Sequence, residues 1–339
     1  MRRALTPALF IGFVGFVAAA CSSELVARPP PPPVNWRSLE VRPPPPDAGP
    51  TSATRKERAA GDAYLKALES PGFAALGRLL DEDVHFAFAG SKDVHGRENA
   101  VHMHDVLLGA FDARTFVTTR GLLTDSAQVI EWTMTGVHRA SHKRVALRGL
   151  TLLSTKDDGS LVDVHVYFDE ALVNAQLGVG PRGLVELPPP PAPTAAPQEV
   201  QQVHSPEESA NAAVVRDSLE AFENKAALAY LATMSEDVEV TTLEAAKPAR
   251  GKTDALAYFK AMHKAIAQLD TGIDNIWGIG SFVVVEYHIV GEQRGPLGFI
   301  PAQKDNLFKM FVVDVVELQG GKIARVWRFD NPRQILLAP

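Results

Sequence analysis

The chain has 339 residues, 46% hydrophobic, 22% charged and 7% aromatic, with a formal net charge of −6. That length suits about two domains at roughly 100–200 residues each, and the apolar fraction excludes a wholly disordered chain. A single cysteine excludes an intrachain disulfide framework and a thiolate zinc site, and the acidic balance argues against a broad phosphate-binding face.

The first elements in chain order concern address. Arg2 and Arg3 precede an apolar stretch from Ala4 to Ala20 that ends in three alanines, which reads as a secretory signal over 1–20. The order Ala18-Ala19-Ala20-Cys21-Ser22 resembles a bacterial lipobox, with Ala18 where leucine is favoured. The resemblance implies cleavage before Cys21 and lipidation of Cys21; an ordinary signal cut near Ala20 is the alternative. The stretch is short for a retained spanning helix. Ser22 in place of aspartate points, by analogy with enterobacterial sorting, to the outer membrane. The expected location is the bacterial cell envelope, on an outer-membrane lipoprotein facing the periplasm or the exterior.

Ten of the 25 prolines lie between residues 22 and 54, and six more between 184 and 205. Such runs favour extended polyproline II without backbone hydrogen bonds. Residues 21–54 therefore read as a lipidated cysteine and spacer, and 184–205 as a linker. What remains is 55–183 and 206–339, with net charges of −2 and −4. No Lys/Arg run interleaves with aromatics in either, so nucleic acid is not an expected partner.

The two segments repeat each other. Glu82-Asp83-Val84 matches Glu236-Asp237-Val238, and Gly96-Arg97-Glu98-Asn99-Ala100 matches Gly251-Lys252-Thr253-Asp254-Ala255. Glu131-Trp132 matches Glu286-Tyr287, and Phe168-Asp169 matches Phe329-Asp330. Each repeat opens with a helix. Thr54 with Glu57, and Ser205 with Glu208 behind Pro206, have capping-box spacing. Ala59, Ala63, Ala67 and Leu68 give helical spacing in one repeat; Ala213, Leu219 and Phe222 give it in the other. A strand follows with Val84, Phe86 and Phe88 on one face. A second helix is predicted from about Arg97 to Phe111, with Ala100, Leu107, Leu108 and Phe111 as its stripe. Alternating strands come next: Ile130, Trp132 and Met134; Leu150 and Leu152; Val162, Val164, Val166 and Phe168. The second repeat gives Val283, Val285 and Tyr287; Phe311, Val313 and Val315; Ile323, Arg325 and Trp327. Asp158-Gly159 and Gly320-Gly321 read as hairpin turns. Gly295 to Asp305, with Pro296, Phe299 and Pro301, reads as an inserted loop with exposed apolar residues. Helices first, then a run of strands taken as antiparallel, define an α+β class.

Gly96-Arg97-Glu98, Ala110-Phe111-Asp112, Gly136-Val137-His138, Tyr167-Phe168-Asp169 and the tail Ala175-Gln176-Leu177-Gly178 carry a family resemblance. The first repeat resembles the SnoaL-like polyketide cyclase branch of the nuclear transport factor 2-like fold. The second repeat resembles the superfamily only, lacking the histidine after Gly291 and the Gln-Leu-Gly tail. The resemblance implies two cone-shaped domains, each a curved antiparallel sheet wrapped on N-terminal helices, with a pocket inside the cone. Members of the superfamily often pair through open sheet faces, so the two repeats are expected to pair within the chain.

In cyclase and isomerase members an acidic residue in the pocket moves a proton beside a carbonyl, and an apolar cavity would raise such a carboxylate toward the working pH. Asp169 occupies the matching position in the first repeat and Asp330 in the second. His138 matches the family histidine, and His104 shares a helix face with Ala100 and Phe111. The catalytic candidates are therefore Asp169, His138 and His104. His165 and Tyr167, which share strand parity with Asp169, join Trp132 and Asp330 as ligand-binding candidates; for Trp132 a core position is the commoner role. His102 and His104 stand about 200° apart on a helix and cannot share an ion. His138 and His142 flank a turn, but no third ligand shows a telling spacing, so neither a metal nor a cofactor is expected. No Gly-x-Ser-x-Gly appears, which leaves nucleophilic catalysis without support. The functional expectation is an exported, membrane-tethered module binding a small apolar ligand or an envelope protein. The alternatives are a cofactor-independent cyclase or isomerase using an Asp/His pair in the first repeat, and a structural envelope lipoprotein.

Overall fold

The computed structural model describes residues 52–89, 91–179, 197–243, 248–298, 300–303 and 306–336, with side chains from residue 58 onward. The signal, Cys21, the first spacer up to Thr51, the side chains of the Thr54–Glu57 box and the prolines from 188 to 193 lie outside the described residues, and the helix that the box was expected to cap already begins at Ser52, inside the expected spacer. Among the described residues no helix is long and apolar enough to cross a membrane.

The first repeat runs α1 (Ser52–Glu69), a short helical turn with α2 (Ala74–Gly77), β1 (Leu80–Phe88), β2 (Val94–His95), α3 (Arg97–Leu108), β3 (Phe111–Leu123), β4 (Gln128–His138), β5 (Arg144–Thr155), β6 (Leu161–Tyr167) and α4 (Glu170–Leu177). A strand at the linker's end, β7 (Gln198–Gln201), precedes the second repeat: α5 (Pro206–Glu223), α6 (Ala227–Ala232), β8 (Met234–Thr241), β9 (Ala249–Arg250), α7 (Gly251–Ala265), β10 (Ile266–Ile279), β11 (Phe282–Gln293), β12 (Asn306–Gln319) and β13 (Lys322–Asp330). The fold is α+β, with a seven-stranded sheet in the order β2-β1-β6-β5-β4-β3-β7 and a six-stranded sheet in the order β10-β11-β12-β13-β8-β9.

Both sheets are mixed, which corrects the expectation of antiparallel ones. β1 runs parallel to β6, and β8 parallel to β13, because a helix separates the first strand from the hairpins and returns the chain in the same sense. The linker also differs from a plain spacer: β7 adds parallel to the edge of β3, pairing Arg120 with Gln198 and Leu123 with Gln201. The second helix stops at Leu108, and Phe111 opens β3 opposite His138. The inserted loop is anchored too, since Leu297 and Ile300 bridge each other and bury in the second core.

The repeat extends to backbone detail. Gly96 and Gly251 precede or open the second helix of each repeat with φ of 89° and 73°, a left-handed geometry that disfavours any side chain. Ala113 and Gln268 are non-glycine residues with φ of 48° and 51°, each at a register shift in the long strand after that helix. Such bulges bend a strand and increase its twist, which is how each sheet curls around its helices. The capping box at Ser205 and Glu208 is formed. Buried Arg114 donates to the Leu68, Ser70, Leu108 and Phe111 carbonyls, tying the C-terminal ends of α1 and α3 to the sheet.

Each domain has its own core. Tyr64, Phe73, Phe86, Met134, Leu147 and Val164 are among the residues filling the first, and Val283, Tyr287, Phe308 and Val312 lie in the second. A third cluster draws on the opposite face of both sheets: Leu122, Val129, Leu150, Leu152 and Tyr167 from the first domain, and Ile279, Phe282, Val284, Val313, Val315 and Phe329 from the second. With both faces covered, β4 is buried at nearly every residue from Gln128 to Gly136.

Candidate functional site

Inside the first cone a row of polar side chains crosses the apolar core. Trp132 on β4 is 3% exposed and stands against Gly149 on β5, where an added Cβ would meet the indole at 2.3 Å. Its Nε1 donates to Thr151 Oγ1 at 2.9 Å. Thr151 bonds the Tyr64 hydroxyl, which lies 2.8 Å from His104 Nε2, and His104 Nδ1 lies 2.7 Å from the Ala100 carbonyl. A carbonyl only accepts, so Nδ1 carries the proton and Nε2 accepts from Tyr64. Burial pushes His104 down to about 4, against the opposing effect of the Ala100 bond, and pushes the Tyr64 hydroxyl well up. The row is neutral near pH 7, and both His104 nitrogens have partners.

The structure brings two of the sequence candidates, His104 and Trp132, together through Thr151 and Tyr64. His138 stands apart from them. Asp169 is fully buried as the N-cap of α4, its Oδ1 accepting from the Ala171 amide at 2.8 Å. His138 ends β4 at an outer turn, with Nδ1 2.8 Å from Ser141 Oγ. Asp330 ends β13, buried, beside Asn331, whose amide donates to the Ala89 carbonyl of the first domain at 2.8 Å.

His165 and Tyr167 point away from the cone, because Val164, Val166 and Phe168 take the core face of β6. They meet the second domain. His165 Nδ1 lies 2.5 Å from Glu286 Oε1, and the Tyr167 hydroxyl donates to the same oxygen at 2.6 Å. Asn275 donates to Glu286 Oε2 at 2.6 Å. On the other side His165 Nε2 lies 3.0 Å from Asp163 Oδ1, an ion-pair distance without hydrogen-bond alignment. His85 Nδ1 lies 2.7 Å from that oxygen and its Nε2 3.4 Å from Asp93. Burial opposes charge on His165, yet Asp163 and Glu286 outweigh it and push the imidazole up to about 11. Asp163 and Asp93 push His85 up to about 9. Burial would raise Glu286, but its bonds to His165, Tyr167 and Asn275 hold it below the usual range. The same balance, with His165 and His85 as donors, holds Asp163 well down.

The repeat partner of Glu286 is Glu131, and it faces the same seam. Arg120 Nη1 bonds Glu131 Oε1 at 2.6 Å, while its guanidinium lies 3.9 Å above the Trp327 ring of the second domain. Burial raises Glu131 even so. Sequence matching had aligned Glu131 with Glu286 without showing that both are buried against the neighbouring domain; Asp163, Arg120 and Asn275 carried no signal of their own. A small cavity of about 90 Å³ lies at the ends of α1 and α3 beside Phe73 and Arg114, and an open cleft of about 520 Å³ lies among Asp237, Glu239, Arg250 and Arg325. Neither is lined by Asp169, His104 or Trp132.

Known proteins supply the family. The SnoaL-like domain model matches residues 62–164 and again 215–326, together more than half of the chain. No curated protein matches it. Among solved structures, a SnoaL-like polyketide cyclase candidate from Jannaschia sp. CCS1 is 19% identical, covering 37% of this chain and 88% of its own, at a TM-score of 0.35. An LEH-like epoxide hydrolase from M. tuberculosis is 18% identical, covering 39% and 90%, at 0.32. An NTF2-like protein from Burkholderia xenovorans LB400 is 15% identical, covering 38% and 94%, at 0.31. With its model matched twice over more than half the sequence, the chain belongs to the SnoaL-like domain family and carries that domain in tandem.

Proposed function

We propose that the chain is an exported lipoprotein, anchored through Cys21, whose tandem domains act as one non-catalytic binding module held off the bilayer by the 22–54 spacer. The observation that carries the non-catalytic reading is the interior of the first cone. Its core is built from the chain's own apolar side chains, and its one buried histidine is neutral with both nitrogens bonded. Proton transfer needs an acid or base within reach of a substrate and poised near the working pH. Asp169 instead caps a helix, and His138 stands at an outer turn.

The third apolar cluster and the Arg120–Trp327 and His165–Glu286 contacts support the pairing of the two domains into one body. A module with filled cones binds on its outside, and the charged cleft at Arg250 and Arg325 suits an envelope protein better than a small apolar ligand. The address rests on the basic start, the apolar stretch and Cys21. Mass spectrometry of the membrane fraction tests it. Diacylglyceryl on Cys21 with 1–20 removed is the expected result, and Cys21→Ser should release the protein from the membrane. Recovery of an unmodified Cys21 chain in the soluble fraction would refute the tether.

A further inference from the structure

We propose that His85, Asp163 and His165 form a binding site for one divalent first-row metal ion, with Zn²⁺ the best chemical match. β1 and β6 are parallel neighbours in register at His85 and Asp163, and His165 follows two residues along β6 on the same face. One donor atom from each of the three lies within 4.8 Å of the others. His85 Nδ1 and His165 Nε2 both converge on Asp163 Oδ1, at 2.7 and 3.0 Å. Zinc takes imidazole nitrogen at about 2.0–2.1 Å and carboxylate oxygen at about 2.0–2.2 Å, so a tetrahedral ion needs such donors roughly 3.3 Å apart. The two distances to Asp163, 2.7 and 3.0 Å, fall a little short of that spacing, and the donors all lie within 4.8 Å of one another.

The outer nitrogens make a second, independent case. A ligating histidine characteristically turns its other nitrogen onto a carboxylate or carbonyl that fixes its orientation. Here His165 Nδ1 lies on Glu286 Oε1 at 2.5 Å, and His85 Nε2 lies 3.4 Å from Asp93 Oδ2. Each imidazole thus presents one nitrogen inward to Asp163 and one outward to a different carboxylate. His165 Nε2 is buried and makes no aligned hydrogen bond, so the inward position lacks a fully satisfied donor set. Three carboxylates surround the two rings, and a dication would balance them in place of imidazole protons. The His85 and Asp163 side chains are 30% and 40% exposed, which leaves an approach for the ion and a position for water. Two nitrogens and one oxygen are borderline donors, suited to zinc and its neighbours rather than to calcium or magnesium.

The full chain, stripped with chelator, is titrated calorimetrically with Zn²⁺ in two buffers of different ionisation heat, and with Co²⁺ by visible absorption. One equivalent is expected, with proton release and a low-coordinate Co²⁺ spectrum. Glu286→Gln should weaken binding by roughly 10–100-fold, as for other outer partners, and His85→Ala by more. His102→Ala, at an exposed site outside the cluster, is the control. If His165→Gln fails to fold, the half-exposed His85→Ala still decides. Absence of saturable binding, or affinity unchanged in a folded His85→Ala, would overturn the site.

Discussion

Replacing Glu286 with alanine removes a carboxylate that is 3% exposed and accepts from three groups of two domains: His165, Tyr167 and Asn275. His165 keeps Asp163 as a second anion, so its charge is not wholly abandoned. The Tyr167 hydroxyl and Asn275 amide lose their acceptor in a place water reaches poorly. Breaking a buried pair by deleting one partner costs about 3–5 kcal/mol, and stranded polar groups contribute to that cost. At roughly 2–4 °C per kcal/mol for a chain of this size, the melting temperature should fall by about 6–20 °C. Glu286→Gln keeps an acceptor but loses the charge, and should fall less. The assay is thermal unfolding by circular dichroism at pH 7 with chelator present, so that metal plays no part. A loss within about 0.5 kcal/mol, the range of an ordinary surface substitution, would refute the reasoning.

Tyr64→Phe should cost about 1–3 kcal/mol in urea titration, because it leaves the His104 Nε2 acceptor unmatched in the first cone and removes one of the two partners of the Thr151 hydroxyl. Gly149→Ala should cost about 1–3 kcal/mol or more, since the new methyl meets the Trp132 ring; an unchanged midpoint would mean that the indole can move aside. With chelator present, so that both imidazoles are free to titrate, stability against pH should fall on both sides of an optimum near the unfolded histidine value of about 6.5. His165 is raised to about 11 and His85 to about 9, so their contributions are complete below about 6.5 and are lost as pH rises through those values. His104 is lowered to about 4, so the unfolded chain gains its proton first and stability falls between about 6.5 and 4. His165→Gln should flatten the alkaline limb, and His104→Gln the acid one; a profile unaltered by both would contradict these assignments.

The elements most legible in the sequence were those whose side chains face one core. Val84, Phe86 and Phe88 alternate as a strand with one buried face, and Ser205 with Glu208 caps a helix as spaced. β3 was missed because its middle, from Phe116 to Thr119, is half-buried and carries no clean alternation. β7 was hidden because only four residues at the end of a proline-rich stretch pair with a neighbour. Parallel pairing of β1 with β6 depends on a partner some eighty positions away, which local pattern does not reveal. The same limit governs the site. Parity correctly put His165 and Tyr167 on one face of the last strand, but which face met the cone depended on Phe168 and Val166 taking the core. Their partner Glu286 lies in the other domain, 121 positions from His165. Asp169, identified by position in the family pattern, works as a helix cap, a role that the same residue type fills wherever a strand runs into a helix.

A first cone packed with the chain's own side chains leaves the outer surface as the place where the module binds. Native mass spectrometry of the protein extracted gently from its own membrane tests it most directly. The expected mass is that of the chain from Cys21 with its lipid, with or without a metal ion, and no small apolar molecule. A retained apolar ligand, lost on Trp132 or Tyr64 substitution, would contradict it.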